Sequence, residues 1–233
     1  MGDKTAIEWT DATWNPVSGC TKVSTGCKFC YAERVSKRMG QEFTKITLHP
    51  NRLKTPVHWR KARRIFVCSM SDLFHKDVPD HFLDKVWAIM YQTPEHTYQV
   101  LTKRPERMRE YVQSIGMKNT EHIWLGVSCE NQEQADKRIP LLLQTPAAVR
   151  FVSLEPLLGP IDLSRLLHHS IHCATHFRMN QKIRERSTFP HRYYYAGEPD
   201  GSDCPRIHRA IVGGESGGPP ERALVEKCRG LDG

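Results

Sequence analysis

The run YQVLTKRPERMREY, residues 98–111, decides the fold class. Its first five residues predict a short apolar strand, and Pro105 then opens a helix, because proline is tolerated in the first turn of a helix. Comparable units recur along the chain, with strands predicted at 64–68, 122–128, 149–154 and 210–212 and helices at 80–91, 132–143 and 221–228. Repeated strand–helix units predict a parallel sheet covered by helices.

The number of strands selects among parallel folds. Residues 13–15 add a first strand, which brings the count to about six. A complete eight-unit barrel needs about 250 residues, and this chain has 233. We therefore predict an α/β fold, a partial (β/α)6 TIM-type barrel, with a doubly wound open sheet as the alternative. Because the chain stops just after its last predicted helix, we also expect a truncated C-terminus that lacks a closing strand.

One segment interrupts this pattern before the last strand. Residues 165–207 are rich in His and Arg and predict an irregular insertion, which leaves 1–164 and 208–233 as the barrel domain. A Cys₂His₂ set occurs in and just after the insertion, and such a set can hold zinc; its members are Cys173, His176, Cys204 and His208. The gap of 27 residues between its halves is longer than in ordinary zinc sites, and an irregular loop without metal is the favoured interpretation.

Composition restricts the compartment and the partners. No apolar stretch approaches the ~20 residues of a membrane span, and the acidic residues near the N-terminus exclude a secretory signal, so we expect a cytoplasmic protein with no membrane partner. Eight cysteines in such a chain favour metal binding or catalysis over disulfides. The formal net charge of +8 favours an anionic partner such as nucleic acid, although the positive charge is spread along the chain.

Three cysteines lie close together in the run GCTKVSTGCKFCYA, residues 19–32. Thiolates from Cys20, Cys27 and Cys30 can bind three irons of an iron–sulfur cluster and leave the fourth iron open. A structural zinc site is normally closed by a fourth ligand, and the nearest candidates, His49 and His58, lie far along the sequence. The triad therefore predicts a metal centre with an open position.

Polar residues follow nearly every predicted strand. In parallel α/β folds the functional residues collect at the carboxyl ends of strands. Carboxylates there can bind an ammonium group or ribose hydroxyls, and a lysine or serine can bind a carboxylate. The candidates at these ends are Asp72, Thr102, Lys103, Ser128, Glu130, Glu155 and Glu215. The simpler interpretation, polar residues where strands meet solvent, accounts for any one of them singly.

These motifs resemble known families. The ending Cys27-x-x-Cys30-Tyr31-Ala32 after the first strand is similar to the cluster loop of radical S-adenosylmethionine enzymes. Segments at the later strand ends resemble the spore photoproduct lyase branch of that group; they are residues 69–72, 101–104, 127–130 and 154–157. A phage-associated three-cysteine family shares the opening at 14–20 and the runs 153–160 and 212–217.

The resemblance implies an activity. A [4Fe–4S] cluster would be held by the three cysteines, and S-adenosylmethionine would occupy the fourth iron, with Tyr31 and the candidate rim residues in contact with it. Reduction by an electron donor would cleave this cofactor to a radical that abstracts hydrogen from the substrate. With the basic charge, this predicts an enzyme that acts on nucleic acid or a nucleotide.

Two alternatives stay open. Six residues separate Cys20 from Cys27, where the family usually has three. That difference motivates the first alternative, a cluster-stabilised nucleic-acid-binding protein without radical turnover. The second alternative is a zinc-stabilised scaffold.

Overall fold

The computed structural model describes residue 5 and residues 7–117, 120–163, 192–195 and 207–212, the backbone alone for 192–195 and 212. Four α-helices occur in this part of the chain: α1 Tyr31–Arg38, α2 Asp80–Gln92, α3 Pro105–Ser114 and α4 Gln132–Leu143. The strands are β1 Ala12–Trp14, β2 Val17–Ser18, β3 Thr47–Leu48, β4 Arg64–Val67, β5 Thr97–Thr102, β6 Ile123–Ser128, β7 Val149–Leu154, β8 Arg192–Tyr195 and β9 Arg209–Val212.

The main sheet has seven strands, and six of them are parallel. Its order is β1-β4-β5-β6-β7-β9-β8, and only the edge pair β8–β9 is antiparallel. The order of the parallel strands follows the chain without the reversal that defines a doubly wound sheet, so that alternative was wrong. Strands β1 and β8 lie at opposite edges, and the barrel that the described residues form is not closed. The α/β class and the six-unit partial barrel are thus confirmed.

The sheet has two apolar faces because side chains alternate along a strand. Val67, Val100 and Leu125 point outward and pack in one large core that also includes residues of α2, α3 and α4. The intervening residues form a smaller cluster on the inner face: Trp9, Phe66, Trp124, Phe151 and Ile211. A Cβ on Gly126 would lie 2.5 Å from the Phe151 ring, so glycine at that position gives the inner ring its space.

The connection between α1 and β4 carries a second, small sheet. Strand β2 pairs antiparallel with β3, with Val17 opposite Leu48. Two 3-10 turns follow, Pro50–Arg52 and Pro56–His58. The Trp14 indole N–H donates to the Arg52 carbonyl at 2.8 Å, which fixes this connection beneath the first strand of the main sheet.

The range predicted as an irregular insertion contains a strand. Strand β8 lies within 165–207 and extends the sheet past β9, so the prediction of irregular structure was wrong for those four residues. The zinc candidates Cys173, His176 and Cys204 and the terminal helix at 221–228 lie outside the described residues. The ring of His208, the fourth zinc candidate, accepts the Arg150 backbone N–H at Nδ1, 3.0 Å away.

None of the helices described combines the length and the apolar character that a bilayer crossing requires.

Candidate metal centre

The cysteine loop, residues 19–30, runs from β2 to the start of α1 along the carboxyl rim of the sheet. Its first residue, Gly19, forms a bridge with Ser71 just past the end of β4. Gly19 has φ +88°, and a Cβ there would lie 2.2 Å from the Lys45 carbonyl oxygen. Only glycine fits this close approach. The Cys20 N–H then donates to the Phe43 carbonyl at 2.8 Å, so the position of the first cysteine is fixed by the backbone.

All three cysteines of the loop are partly buried and none forms a disulfide. Cys27 ends a 3-10 turn that begins at Thr25, and Cys30 is the N-cap of α1. Burial raises the pKa of the Cys20 thiol, and the Asp72 charge adds to this, while Arg104 acts in the opposite direction. Within the described residues, no three His, Cys, Asp or Glu side chains are grouped closely enough for one metal ion. The three cysteines stay predicted ligands.

Asp72, after β4, forms the first clamp on this loop. Its Oδ1 accepts from the Thr102 hydroxyl at 2.7 Å and the Phe74 N–H at 3.0 Å. Its Oδ2 accepts from the Lys103 N–H at 3.1 Å and from the Arg104 guanidinium at 2.9 Å. With four donors bound, this carboxylate is committed to the protein. Asp72 and Thr102 therefore position Arg104, whose backbone N–H donates to the Thr102 hydroxyl at 2.9 Å.

Arg104, after β5, carries the clamp to the loop. Its Nη1 donates to Cys20 Sγ at 3.6 Å, and its Nη2 donates to the Thr21 carbonyl at 2.9 Å. The buried His75 ring reaches the same threonine, with Nε2 2.8 Å from the Thr21 hydroxyl oxygen. Because His75 Nδ1 accepts the Asp77 N–H, the ring hydrogen is assigned to Nε2, which donates. Arg104 and His75 thus hold the start of the loop together.

Glu130, after β6, forms a second clamp at the middle of the loop. Its side chain is fully buried and pairs with Arg138 at 2.9 Å. Its Oε1 accepts the Gly26 N–H at 3.3 Å, and a Cβ on Gly26 would lie 2.8 Å from Glu130 Cδ. Burial acts to raise the pKa of Glu130, but a hydrogen bond from Ser24 and the charges of Arg138 and Lys103 outweigh it and hold the pKa below its ordinary value. Glu130 is thus a buried anion that supports the loop.

The other predicted residues divide into two groups. The Tyr31 hydroxyl donates to the Ser69 carbonyl, and burial raises its pKa to about 12, so it ties α1 to the end of β4. Lys103, Ser128 and Glu155 lie at the ends of three adjacent strands, β5, β6 and β7. Neighbouring strands are about 5 Å apart, which brings these three residues to one stretch of the rim. Glu215 lies outside the described residues.

Sequence reasoning missed the clamps themselves. It placed Asp72 and Glu130 at the rim but assigned them to a ligand, and it did not identify Arg104 or Arg138 as their partners. The signal that could have found them is the pairing of acidic and basic residues on neighbouring strand ends, as with Asp72 and Arg104. A second signal is the position of Arg138 among the apolar residues of α4. Glu130 lies just before that helix begins, eight residues earlier in the chain, and is the carboxylate that could neutralise it.

Comparison with known proteins supports the fold and identifies the family. The structure is similar to that of a cysteine-to-serine mutant of spore photoproduct lyase, with a TM-score of 0.54 and 11% identity, over 91% of this chain and 71% of that chain. At this identity the likeness concerns the fold alone. No curated protein matches the chain in sequence. A family model described as "Protein of unknown function (DUF5131)" matches residues 4–227. Because that match spans nearly the whole sequence, the chain belongs to the DUF5131 family.

Proposed function

We propose that this protein is an iron–sulfur enzyme of the radical S-adenosylmethionine type that acts on nucleic acid or a nucleotide. The observation that carries the proposal is the position of the three-cysteine loop. It lies at the carboxyl rim of six parallel strands, where functional residues of such folds collect, and Arg104 links its first cysteine directly to Asp72. The likeness in fold to a spore photoproduct lyase supports the same class.

The donor set fits an iron–sulfur cluster. Cys20, Cys27 and Cys30 are free, partly buried thiols on one loop, and thiolates are the ligands that such clusters prefer. The six residues between Cys20 and Cys27 attach the loop to the rim, because Thr21 is bound by Arg104 and Ser24 binds Glu130. The extra residues therefore serve to attach the loop.

The rim next to the loop supplies groups for the sulfonium cofactor. Lys103 is partly buried, and its ammonium forms no hydrogen bond or ion pair with the residues described. We assign it to the carboxylate of S-adenosylmethionine, with Ser128 and Glu155 assigned to the ammonium or ribose hydroxyls. When bound, cluster and cofactor together supply one-electron reductive cleavage and hydrogen abstraction, with electrons from an external donor.

The chain itself contributes position, shielding and charge. The two clamps fix the loop at Cys20–Thr21 and at Ser24–Gly26. The aromatic cluster of the inner face, which includes Phe66, Trp124 and Phe151, excludes water from the interior of the half-barrel. The Arg104 guanidinium favours added negative charge at Cys20, and hydrogen bonds to cluster sulfurs are known to tune reduction potentials.

The test is anaerobic reconstitution with iron and sulfide. We expect iron and sulfide in equal amounts, an electron paramagnetic resonance signal that changes on addition of S-adenosylmethionine, and 5′-deoxyadenosine after reduction. Alanine at Cys20, Cys27 or Cys30 should abolish all three. Cys129→Ala is the matched control, because this buried rim thiol lies outside the loop and its loss should leave iron binding intact.

Each outcome has a clear meaning. Zinc without iron would contradict the cluster and favour the zinc-stabilised scaffold. A fully loaded cluster that yields no 5′-deoxyadenosine would contradict radical chemistry and favour a cluster-stabilised nucleic-acid-binding protein.

A further inference from the structure

We infer that the cysteine loop and helix α1 form a docking surface for single-stranded nucleic acid, with Phe29 as a base-stacking platform and Lys37 and Arg38 as phosphate contacts. The inference rests on the proposed function and deepens it, because it names the form of the substrate and the surface that holds it.

Large apolar side chains are exposed on this surface. Phe29 is 54% exposed, Val23 is 45% exposed and Met39 is 64% exposed. These are three of the seven large hydrophobic side chains that are exposed among the described residues, yet they fall within one short stretch of the chain. Exposed apolar side chains concentrated in the cysteine loop and α1 are available to a binding partner there.

Positive charge is concentrated in the same stretch of the chain. Residues 20–39 contain five cationic side chains and a single acidic one, Glu33, which is paired with Lys22 at 2.9 Å. Helix α1 buries Ala32 and Ser36, and its helical period turns Lys37 and Arg38 to the opposite, exposed side. In the described part of the chain neither of these two cations has a hydrogen bond or an ion pair, so both are available to an anion.

The combination fits an unpaired nucleic-acid strand better than other anionic partners. Lys37 and Arg38 are consecutive exposed cations at the end of α1, and two cations so close in the chain can contact neighbouring phosphates of one strand. The Lys28 ammonium lies 5.3 Å from the Phe29 ring centroid, and an exposed aromatic beside cations is the usual platform for a single-stranded base. A base in a duplex is already stacked and cannot lie on Phe29 without being extruded.

The position of Phe29 links docking to chemistry. It directly precedes Cys30 in the sequence, so a base stacked on its ring lies beside the predicted metal centre. The Lys22–Glu33 ion pair joins the loop to α1, so it connects the segment that carries Phe29 to the helix that carries Lys37 and Arg38.

Binding to labelled oligonucleotides tests the inference on the anaerobically reconstituted protein. The probes are a fluorescein-labelled 15-nucleotide mixed-sequence single strand, as DNA and as RNA, and the matching DNA duplex, titrated by anisotropy at several salt concentrations. The wild type should bind the single strands more tightly than the duplex. Lys37→Ala with Arg38→Ala should weaken binding and reduce the slope of log K against log salt by about 1.4, since each lost phosphate contact on a single strand removes about 0.7.

The aromatic residue should act differently from the cations. Phe29→Ala should weaken binding about five- to a hundredfold at every salt concentration without changing the slope, as expected for loss of one stacked base. Phe29→Tyr should retain binding, because the ring is kept.

The control removes equal charge elsewhere. Lys85→Ala with Lys137→Ala removes two exposed lysines from α2 and α4. The affinity for the single strand should stay within about twofold of wild type, since neither lysine belongs to the cysteine loop or α1. Equal losses in both double variants, duplex binding as tight as single-strand binding, or no oligonucleotide binding at all would overturn the inference. These results are distinct from failure of the proposed function, which is absence of cofactor cleavage by a loaded protein that still binds the strand.

Discussion

The two clamps on the cysteine loop differ in exposure and in what they touch. The Asp72–Arg104 pair retains 8% and 15% side-chain exposure and reaches a cysteine sulfur. The Glu130–Arg138 pair is 0% and 3% exposed. Its contacts with the loop are the Gly26 N–H and the Ser24 hydroxyl, both of which donate to Glu130. The first clamp can therefore influence the electronic properties of the proposed metal centre, while the second fixes the position of the loop.

This difference separates stability from tuning. A fully buried ion pair contributes little net stability as a pair, but removal of one partner leaves the other charge without compensation. A partly exposed pair with extra neutral donors is less sensitive to such a loss. Variants of the two clamps should accordingly differ in whether they unfold the protein or alter the metal centre.

The largest effect is expected for Glu130→Ala. It leaves the Arg138 guanidinium buried, and among the described residues only the Ser128 carbonyl, 2.6 Å away, still accepts from it. The expected loss in the free energy of unfolding is about 3–5 kcal/mol, measured by urea denaturation of the metal-free protein. Glu133→Ala, an exposed carboxylate on the first turn of α4, is the control and should cost less than about 1 kcal/mol. Equal losses for the two variants would show that the buried pair has no special role.

Much of the fold could be predicted because its signal is local. Strand β7 and helix α4 were predicted with the bounds that the structure shows, since an apolar run and a helical repeat are properties of contiguous residues. Strand β8 was not predicted, because its four residues lie in a His- and Arg-rich range whose composition predicted irregular structure. Tyr91 has the same helical spacing as its buried neighbour Trp87, yet it is 40% exposed, because four residues turn about 40° more than one full helical turn and carry Tyr91 past the edge of the buried face.

The candidate site was predictable in location and less so in roles. Strand ends gave Asp72, Glu130 and Lys103, because parallel topology brings those ends to one rim. Which of them bind the protein and which face a ligand depends on distances such as the 2.9 Å between Asp72 and Arg104. Such contacts join residues from different strands, so no local pattern in the sequence reveals them.

Arg104→Gln should separate the two clamps by its effect on the metal centre. Asp72 keeps three donors after this change, so the expected cost in unfolding free energy is about 1.5–3 kcal/mol, the range for a hydrogen bond to a charged group. The loss of the cation beside Cys20 should lower the reduction potential of the reconstituted centre, measured by redox titration. Arg109→Gln removes the same charge from α3, where the partner is Gln144, and should leave that potential unchanged. An unaltered potential in Arg104→Gln would limit the first clamp to a positioning role.

Gly26→Ala tests how closely the loop must approach the second clamp. The added methyl group would lie 2.8 Å from Glu130 Cδ, so either the loop or the carboxylate must move. Overpacking of this kind costs about 1–3 kcal/mol, and we expect a lower midpoint in urea together with reduced iron binding. Gly159→Ala is the matched control, because a Cβ there has no neighbour within 4 Å. A Gly26→Ala variant as stable as this control would mean that the loop is free to shift away from Glu130.

The smallest effect concerns pH and distinguishes the environment of the first clamp from that of the second. Burial, with the charge of Arg104, lowers the pKa of His75, and burial with Arg52 lowers that of His49. In the unfolded chain both rings titrate near about 6.5, so just below that pH the unfolded state binds more protons than the folded state. Stability should therefore rise with pH from about 5.5 to 6.5 and level off above it. The lowered pKa of Glu130 acts in another range, since its contribution to stability is present above about pH 4.5 and is lost in more acidic solution.

Urea denaturation at pH 5.5 and 7.5 measures the histidine effect. His75→Gln with His49→Gln should reduce the difference in unfolding free energy between the two pH values. A wild-type protein that is more stable at pH 5.5 than at 7.5 would contradict this expectation, which the bond from the Asp77 N–H to His75 Nδ1 supports by holding the ring neutral.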